Sequence, residues 1–552
     1  MRKSSQGLRV ADWTKTRIAH ADRNREMSNR GGKIQSANSS GRQDRAAIVN
    51  TRPQHSLTGI LMPNLTETLA DRSIPGDLGG NRAERTGTEL WRLPAADLAQ
   101  LIRTRRVSAR EAAESTLQRL DAVNPKINAI VAHRPELVLD QADRIDTRLV
   151  RGEDPGPLAG VPVSVKINTD MAGFPTTNGT RLQEDWVAKV NSPAVENLVR
   201  AGAVLLGRSN APTFALRWFT SNVLNGATRN PRNSVLTPGG STGGGAAAVA
   251  AGIGQLAVGT DIGGSLRYPA YACGIHGLRP TLGRVPAYNA SSPERAIGAQ
   301  MMSSTGLIGR SIEDLRIGLA AMSAADLRDP WWVPAPLEGP PAPRVAAMCL
   351  RPGGMQIAKE VETAVLDAGR RLSDAGWTVH EIEDLPSIHE AAEVQMRLWL
   401  GDGFAGLVDA ARRDGDPGAI AVVEAVRPMA EVLPCDVVSH AMVLRTTVQR
   451  AWRLLFTQYP VLLLPVSGEL PFPDGLDLQG ETGFQRVWRA QLPMRAPPAL
   501  GLPGLTVSTS LIGSTPVGVQ IIANHFREDL CLQAGKAIEA RGTPPSPIDP
   551  AV

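Results

Sequence analysis

The stretch from Thr237 to Ala270, TPGGSTGGGAAAVAAGIGQLAVGTDIGGSLRYPA, limits the fold more than any other part of the chain. From Asn233 to Thr260 there is no charged side chain, and that length could cross a bilayer. Its residues are Gly, Ala, Ser and Thr rather than Leu, Ile or Phe, with six glycines between Gly243 and Thr260. Each glycine costs a helix about 1 kcal/mol, so no membrane span is expected. A run of small uncharged residues then belongs in a protein interior, where backbones approach closely. Two Gly-Gly-Ser clusters, at Ser241 and Ser265, flank a small-residue helix and a short strand, Leu256 to Val258.

The flanking sequence supplies the rest of an α/β fold. Ser108 and Glu111 form a capping box, after which Ala113, Leu117 and Leu120 mark one helix stripe that Asn124 and Pro125 stop. An extended piece, Ala129 to Val131, and a helix from Pro135 to about Leu149 follow. Pro162 to Ile167 alternates strictly, placing Val163, Val165 and Ile167 on one strand face and Ser164 and Lys166 on the other. Ser192 and Pro193 open a helix that Gly202 ends, and Ala203 to Leu206 reads as a buried strand. The alternation predicts a large mixed β-sheet flanked on both faces by helices. A Pro-rich connection over 330–345 precedes a second αβ half that resumes near Val345. With 42% hydrophobic and 20% charged residues, the chain is globular, neither a disordered polymer nor a collagen or coiled-coil rod.

Charge is unevenly placed. Residues 1–60 hold twelve Lys+Arg against four Asp+Glu, and the remainder 47 against 50, so the overall +5 comes from the N-terminal end. Residues 1–60 read as a disordered basic extension, with Met62 as an alternative start, and 61–89 as a linker. The main domain is expected over 90–540 and a tail over 541–552, and no nucleic acid is expected as a partner of the body. A basic-tail nucleic-acid binder would show salt-sensitive binding lost on deleting residues 1–60. Cys273, Cys349, Cys435 and Cys531 lack the close spacing of zinc or redox motifs and read as reduced core thiols. The N-terminus has no apolar signal core, so a cytoplasmic enzyme is expected.

Paired glycines beside a serine let backbone amides turn toward one point, as an oxyanion-binding loop requires. Gly239-Gly240-Ser241-Thr242-Gly243 also fits a nucleophile elbow, which would make Ser241 the nucleophile and require an acid and a histidine downstream. The glycine run is a poor match to a dinucleotide loop, which it resembles only loosely, and to a phosphate loop, since it lacks the Gly-Lys-Ser/Thr ending. For each residue the plain reading is structural: a solvent-seeking strand lysine for Lys166, a helix N-cap for Ser241, a turn serine for Ser265.

Together, PGGSTGGGAAAVAAG at 238–252, GTDIGGSLRYPA at 259–270 and GVPVSVK at 160–166 resemble the amidase signature family. AGAVLLGRSNAPTFA at 201–215, CGIHGLRPTLGRVP at 273–286 and PVGVQII at 516–522 extend the resemblance over roughly residues 90 to 540. It implies the amidase signature fold and a Ser-cisSer-Lys triad with Ser265 as nucleophile, Ser241 as bridging serine and Lys166 as base. It further implies an oxyanion hole from the amides of Ile262, Gly263, Gly264 and Ser265, with neither metal nor organic cofactor. Asp261 and Arg267 are expected to pair and stiffen the loop, and Thr242 to join the serine relay. His276 is expected to be structural. The implied activity is hydrolysis of a small-molecule carboxamide through an acyl-enzyme; a homodimer is compatible with it. Within the fold the alternative is the glutaminase component of a tRNA-dependent amidotransferase, and outside it a non-catalytic scaffold.

The chain departs from the family pattern in three places. Ile167 stands where many members carry Asp after the lysine, Thr242 where they carry a second serine, and Gly306-Leu307-Ile308-Gly309-Arg310 where they often read Gly-Pro-x-Ala-Arg. The acyl pocket is expected from the variable stretch at about 390–500, with Trp399, Phe404, Phe484 and Trp488 as candidates.

Overall fold

Short aliphatic runs bounded by glycine or proline become strands, and the longer amphipathic segments between them become helices. The computed structural model describes residues 89–551, so the expectations for residues 1–60 and for the linker up to residue 88 lie outside it. The strands are β1 Ile130–Ala132, β2 Pro162–Lys166, β3 Val204–Ser209, β4 Ser221–Asn222, β5 Gly226–Ala227, β6 Leu256–Asp261 and β7 His276–Arg279. They continue with β8 Ser304–Gly309, β9 Val345–Met348, β10 Thr378–Glu381, β11 Val461–Pro465, β12 Gly504–Ile512 and β13 Thr515–Ala523. β4 and β5 pair separately, and the other eleven form one sheet in the order β1-β3-β2-β6-β8-β7-β12-β13-β11-β9-β10. It is mixed: β2 runs parallel to β3 and to β6, while β6 is antiparallel to β8.

Helices cover both faces. Val163, Leu256, Val258 and Leu307 pack with Ile312 and Leu315 of helix Ile312–Met322 on one side. Val204, Leu206, Ala257 and Ile308 pack with Ala113 and Leu117 of helix Ala109–Ile127 and with the alanines of helix Gly243–Ala250 on the other. The alternation of Leu256, Ala257 and Val258 between these two cores is the period-2 pattern made physical. Val345 does open β9, after the Pro-rich connection.

Three local expectations need correction. The capping box at Ser108 and Glu111 forms, but Pro125 does not stop the helix, which runs to Ile127 and is closed by Asn128 in the left-handed region. Proline in the last turn forgoes one backbone bond there, and burial of Val123 and Ile127 offsets the loss. Ser192 is the N-cap of helix Pro193–Arg200, as expected, though its side chain makes no capping bond. The segment from 541 is docked, not a free tail: the Ile548 amide donates to the Ala250 carbonyl at 3.0 Å, and Arg119 donates to Ile548 O and pairs with Asp549. Cys273, Cys349 and Cys531 are buried free thiols as expected, whereas Cys435 is exposed. Among the described residues no helix is long and apolar enough to cross a membrane.

Candidate active site

Because β2 and β6 are parallel neighbours, their carboxyl ends reach the same edge of the sheet, where α/β folds open a crevice. Lys166 is the last residue of β2 and Asp261 the last of β6. The loop after β6 carries Ser265 into helix Arg267–Cys273, and the loop ending at Thr242 carries Ser241 to helix Gly243–Ala250. The amide of Thr242 donates to the Ser265 carbonyl at 3.1 Å, so the two Gly-Ser clusters are joined backbone to backbone. The Gly240–Ser241 peptide is cis. A Cβ on Gly240 would lie 2.4 Å from the Arg217 carbonyl oxygen and 2.5 Å from the Phe219 amide nitrogen, so only glycine fits there.

Lys166 does not reach solvent. It is fully buried, its Nζ donates to Ser241 Oγ at 2.7 Å, and a longer bond of 3.3 Å goes to Thr260 Oγ1. Burial draws its pKa down from the ordinary lysine value to about 7, against the opposing pull of the Asp261 carboxylate. Thr260, which also accepts from Asn168 Nδ2 at 3.1 Å, was not singled out by the sequence pattern. Strand alternation groups Thr260 with Val258 and Val165, on the face opposite Lys166, so no pattern in the sequence marks it; the contact arises where the two strands end.

Ser241 is not the helix N-cap: that position is Thr242, with no side-chain capping bond. Nor does Thr242 extend a relay, since its hydroxyl is buried without a hydrogen-bond partner among the described residues, with its atoms against Gly259. The side chain packs against Gly245 and Gly259. Ile167, in place of a carboxylate, is buried. Arg310, after the altered Gly306–Gly309 run, donates to the carbonyls of Gly254 at 2.9 Å and Leu93 at 2.7 Å.

Asp261 and Arg267 pair as expected, through bonds of 3.0 and 2.9 Å with both side chains buried. Arg267 and Arg279 together hold the Asp261 carboxyl down to about 2 despite its burial. That carboxylate also accepts from the amides of Gly264 at 2.9 Å and Leu266 at 3.2 Å. Gly264 therefore leaves the expected oxyanion set, because its N–H is already committed. Among the described residues the amides of Ile262, Gly263 and Ser265 have no such partner. Gly264 itself sits at φ +103°, with Met494 Cβ 2.7 Å from where its own Cβ would be.

Ser265 lines a cavity of about 410 Å³. Its far walls include Trp399, Phe404, Phe484 and Trp488, all four of the aromatic candidates from the variable stretch. Phe214 and Trp218 also line it, and both come from an upstream segment outside the stretch expected to form the pocket. Among the described residues no histidine lines this cavity. His276 is buried elsewhere, 3.5 Å from Glu539, and burial lowers its pKa to about 4. With the Ser241 hydroxyl bonded to Lys166 and no imidazole lining the cavity among the described residues, the nucleophile-elbow reading lacks the histidine it requires.

Comparison with known proteins shows the family. A family model described as Amidase matches residues 111–532. The chain is 38% identical to an indoleacetamide hydrolase of Bradyrhizobium diazoefficiens over 82% of its own length and 87% of that protein. It is 32% identical to the A-type component of the glutamyl-tRNA(Gln) amidotransferase of Carboxydothermus hydrogenoformans, covering 82% and 97%. Among solved structures, a bacterial aryl acylamidase of the amidase signature family superposes with a TM-score of 0.71 at 26% identity, covering 82% and 97%.

Proposed function

The chain belongs to the amidase signature family and is an amidohydrolase that cleaves the C–N bond of carboxamides, and from that premise we propose that Ser265 is its nucleophile, Ser241 its bridging hydroxyl and Lys166 its base. Lys166 carries the reading: a buried amine with a pKa near 7, bonded directly to a serine hydroxyl, is substantially neutral at physiological pH and can accept a proton. Ser265 Oγ attacks the amide carbonyl and passes its proton to Ser241 Oγ, while Ser241 passes its own to Lys166 Nζ. The oxyanion is held by the amides of Ile262, Gly263 and Ser265; each such donor contributes about 3 kcal/mol to lowering the barrier. Return of the proton through Ser241 to the amide nitrogen lets ammonia or an amine leave. Water then adds to the acyl-enzyme, giving up a proton by the same route, and Ser265 is released with the carboxylic acid.

The acyl group is aromatic in this reading. Trp488 stacks on Phe484 at 22° with centroids 5.7 Å apart, and Trp218 lies 6.0 Å from Trp488, giving a wall suited to a flat bicyclic ring. A primary arylacetamide of the indoleacetamide kind, the substrate that names the 38% identical relative, fits that wall better than glutamine does. A cytoplasmic location belongs to the same reading, supported by four unpaired cysteines. The test is ammonia release from indole-3-acetamide, propionamide and glutamine by the purified chain, its Ser265→Ala and its Lys166→Ala forms. Indole-3-acetamide should have the highest kcat/KM, with both variants inactive. Preference for glutamine would move the chain to the amidotransferase glutaminases, and turnover by Ser265→Ala would end the reading.

A further inference from the structure

The loop between β6 and the following helix has an alternating arrangement of amides. Those of Gly264 and Leu266 turn inward to the Asp261 carboxylate, and those of Gly263 and Ser265 do not. The peptide unit between Gly263 and Gly264 is the pivot of this alternation. Its N–H is held by Asp261, and its carbonyl, Gly263 O, accepts from the indole N–H of Trp218 at 2.8 Å. Held at both ends, this peptide plane cannot rotate, and the directions of the two flanking amides are fixed with it. Trp218 is at the same time half-buried in the cavity wall, tilted against Trp488, which in turn carries the Arg495 guanidinium 4.0 Å from its ring centroid.

We propose that Trp218 is a positioning residue that couples the acyl pocket to the oxyanion cradle: its ring contacts the substrate's acyl group while its N–H orients the Gly263–Gly264 peptide. The inference rests on the proposed role of Ser265 and its loop. A substrate that seats against Trp218 holds the donor in place, so fit in the pocket is converted into catalytic rate and not into affinity alone. Asp261 is the fixed half of the clamp, locked by Arg267 and fully buried; Trp218 is the half that substrate can touch.

Two substitutions separate the ring from the donor. Trp218→Phe keeps an aromatic wall and removes the N–H. Trp218→His keeps an N–H that reaches the indole nitrogen's place in one ring orientation, but loses most of the wall. Each is assayed on indole-3-acetamide and on propionamide, which is too small to fill the pocket. Loosening an oxyanion loop should cost less than deleting a donor, so Phe should lower kcat about tenfold on both amides with KM for propionamide within about twofold of wild type. His should restore kcat on propionamide to within about threefold of wild type while raising KM for indole-3-acetamide about tenfold. Equal kcat on propionamide for wild type and Phe, with Ser265→Ala inactive, overturns the coupling and leaves the nucleophile assignment standing. Activity in Ser265→Ala overturns that assignment instead. Melting curves of both Trp218 variants within a few degrees of wild type exclude misfolding as the cause of a loss.

Discussion

The two ends of the cavity are built on opposite principles. Its floor, lined by Thr260, Ile262, Gly263 and Ser265, is backed by small residues pressed close against their neighbours: Gly240 against Arg217 and Phe219, Gly244 against Asn210, Gly264 against Met494. Its outer wall is made of large side chains on separate helices, with Phe404 on Phe404–Asp414, Phe484 and Trp488 on Gly480–Ala490, and Trp399 on Ile388–Leu400. The floor fixes charge and dipoles, with Asp261 and its arginines buried under the loop. The wall offers shape, with Arg217, Arg295, Asp402 and Asp477 also among the lining residues. Chemistry that must reproduce one geometry is placed where a single added methyl group would collide. Selectivity, which tolerates variation, is placed where side chains can be exchanged without moving the backbone.

That contrast orders the expected effects. The largest fall on the floor's reacting groups: Ser265→Ala, Ser241→Ala and Lys166→Ala should each lower kcat by about 1,000-fold or more, with melting temperatures little changed, as measured by ammonia release and calorimetry. Full turnover in any of them would break the assignment of chemistry to this end. Gly240→Ala should come next, destabilising the fold by about 3 kcal/mol in urea unfolding, because backbone atoms on two sides leave its methyl no room. Stability equal to wild type would show that the floor is softer than its packing implies. Trp488→Ala, on the wall, should raise KM for an arylacetamide about tenfold and leave kcat on propionamide alone, the scale of one aromatic contact. A fall in kcat on both would erase the division between the two ends.

The smallest effect concerns pH. Lys166 must be neutral to act as base and its pKa is near 7, so kcat/KM should rise with pH through about 7 and level above it. Thr260 Oγ1 accepts from Lys166 Nζ, which favours the ammonium form; Thr260→Val should lower the lysine pKa and move the acidic limb to lower pH by about half a unit. A shift toward higher pH would mean that the hydroxyl does not act as an acceptor.

The floor was legible in the sequence because close backbone approach demands glycine at fixed places, while the roles expected of Lys166, Ser241 and Ser265 came from the resemblance to the amidase signature family. The strict alternation over Pro162–Lys166 likewise put Lys166 and the apolar valines on opposite faces of β2. Three features were not legible. Hydrogen bonding of Gly264 to Asp261 depends on how the loop folds back, which residue types do not encode. Thr242 keeps a hydroxyl in sequence, yet its rotamer is set by packing against Gly259. Trp218 comes from a segment with no motif, and an aromatic residue there looks like any core residue until its N–H is seen on Gly263.

The rate and site of labelling by a fluorophosphonate probe, followed by peptide mass spectrometry from pH 5 to 9, bear most directly on the buried-lysine relay. Wild-type protein should be modified once, on Ser265, at a rate that climbs with an apparent pKa near 7. In Lys166→Ala the rate should be low and lack that inflection. Modification of Ser241 in place of Ser265, or the same inflection in Lys166→Ala, would contradict proton transfer from Ser265 through Ser241 to Lys166.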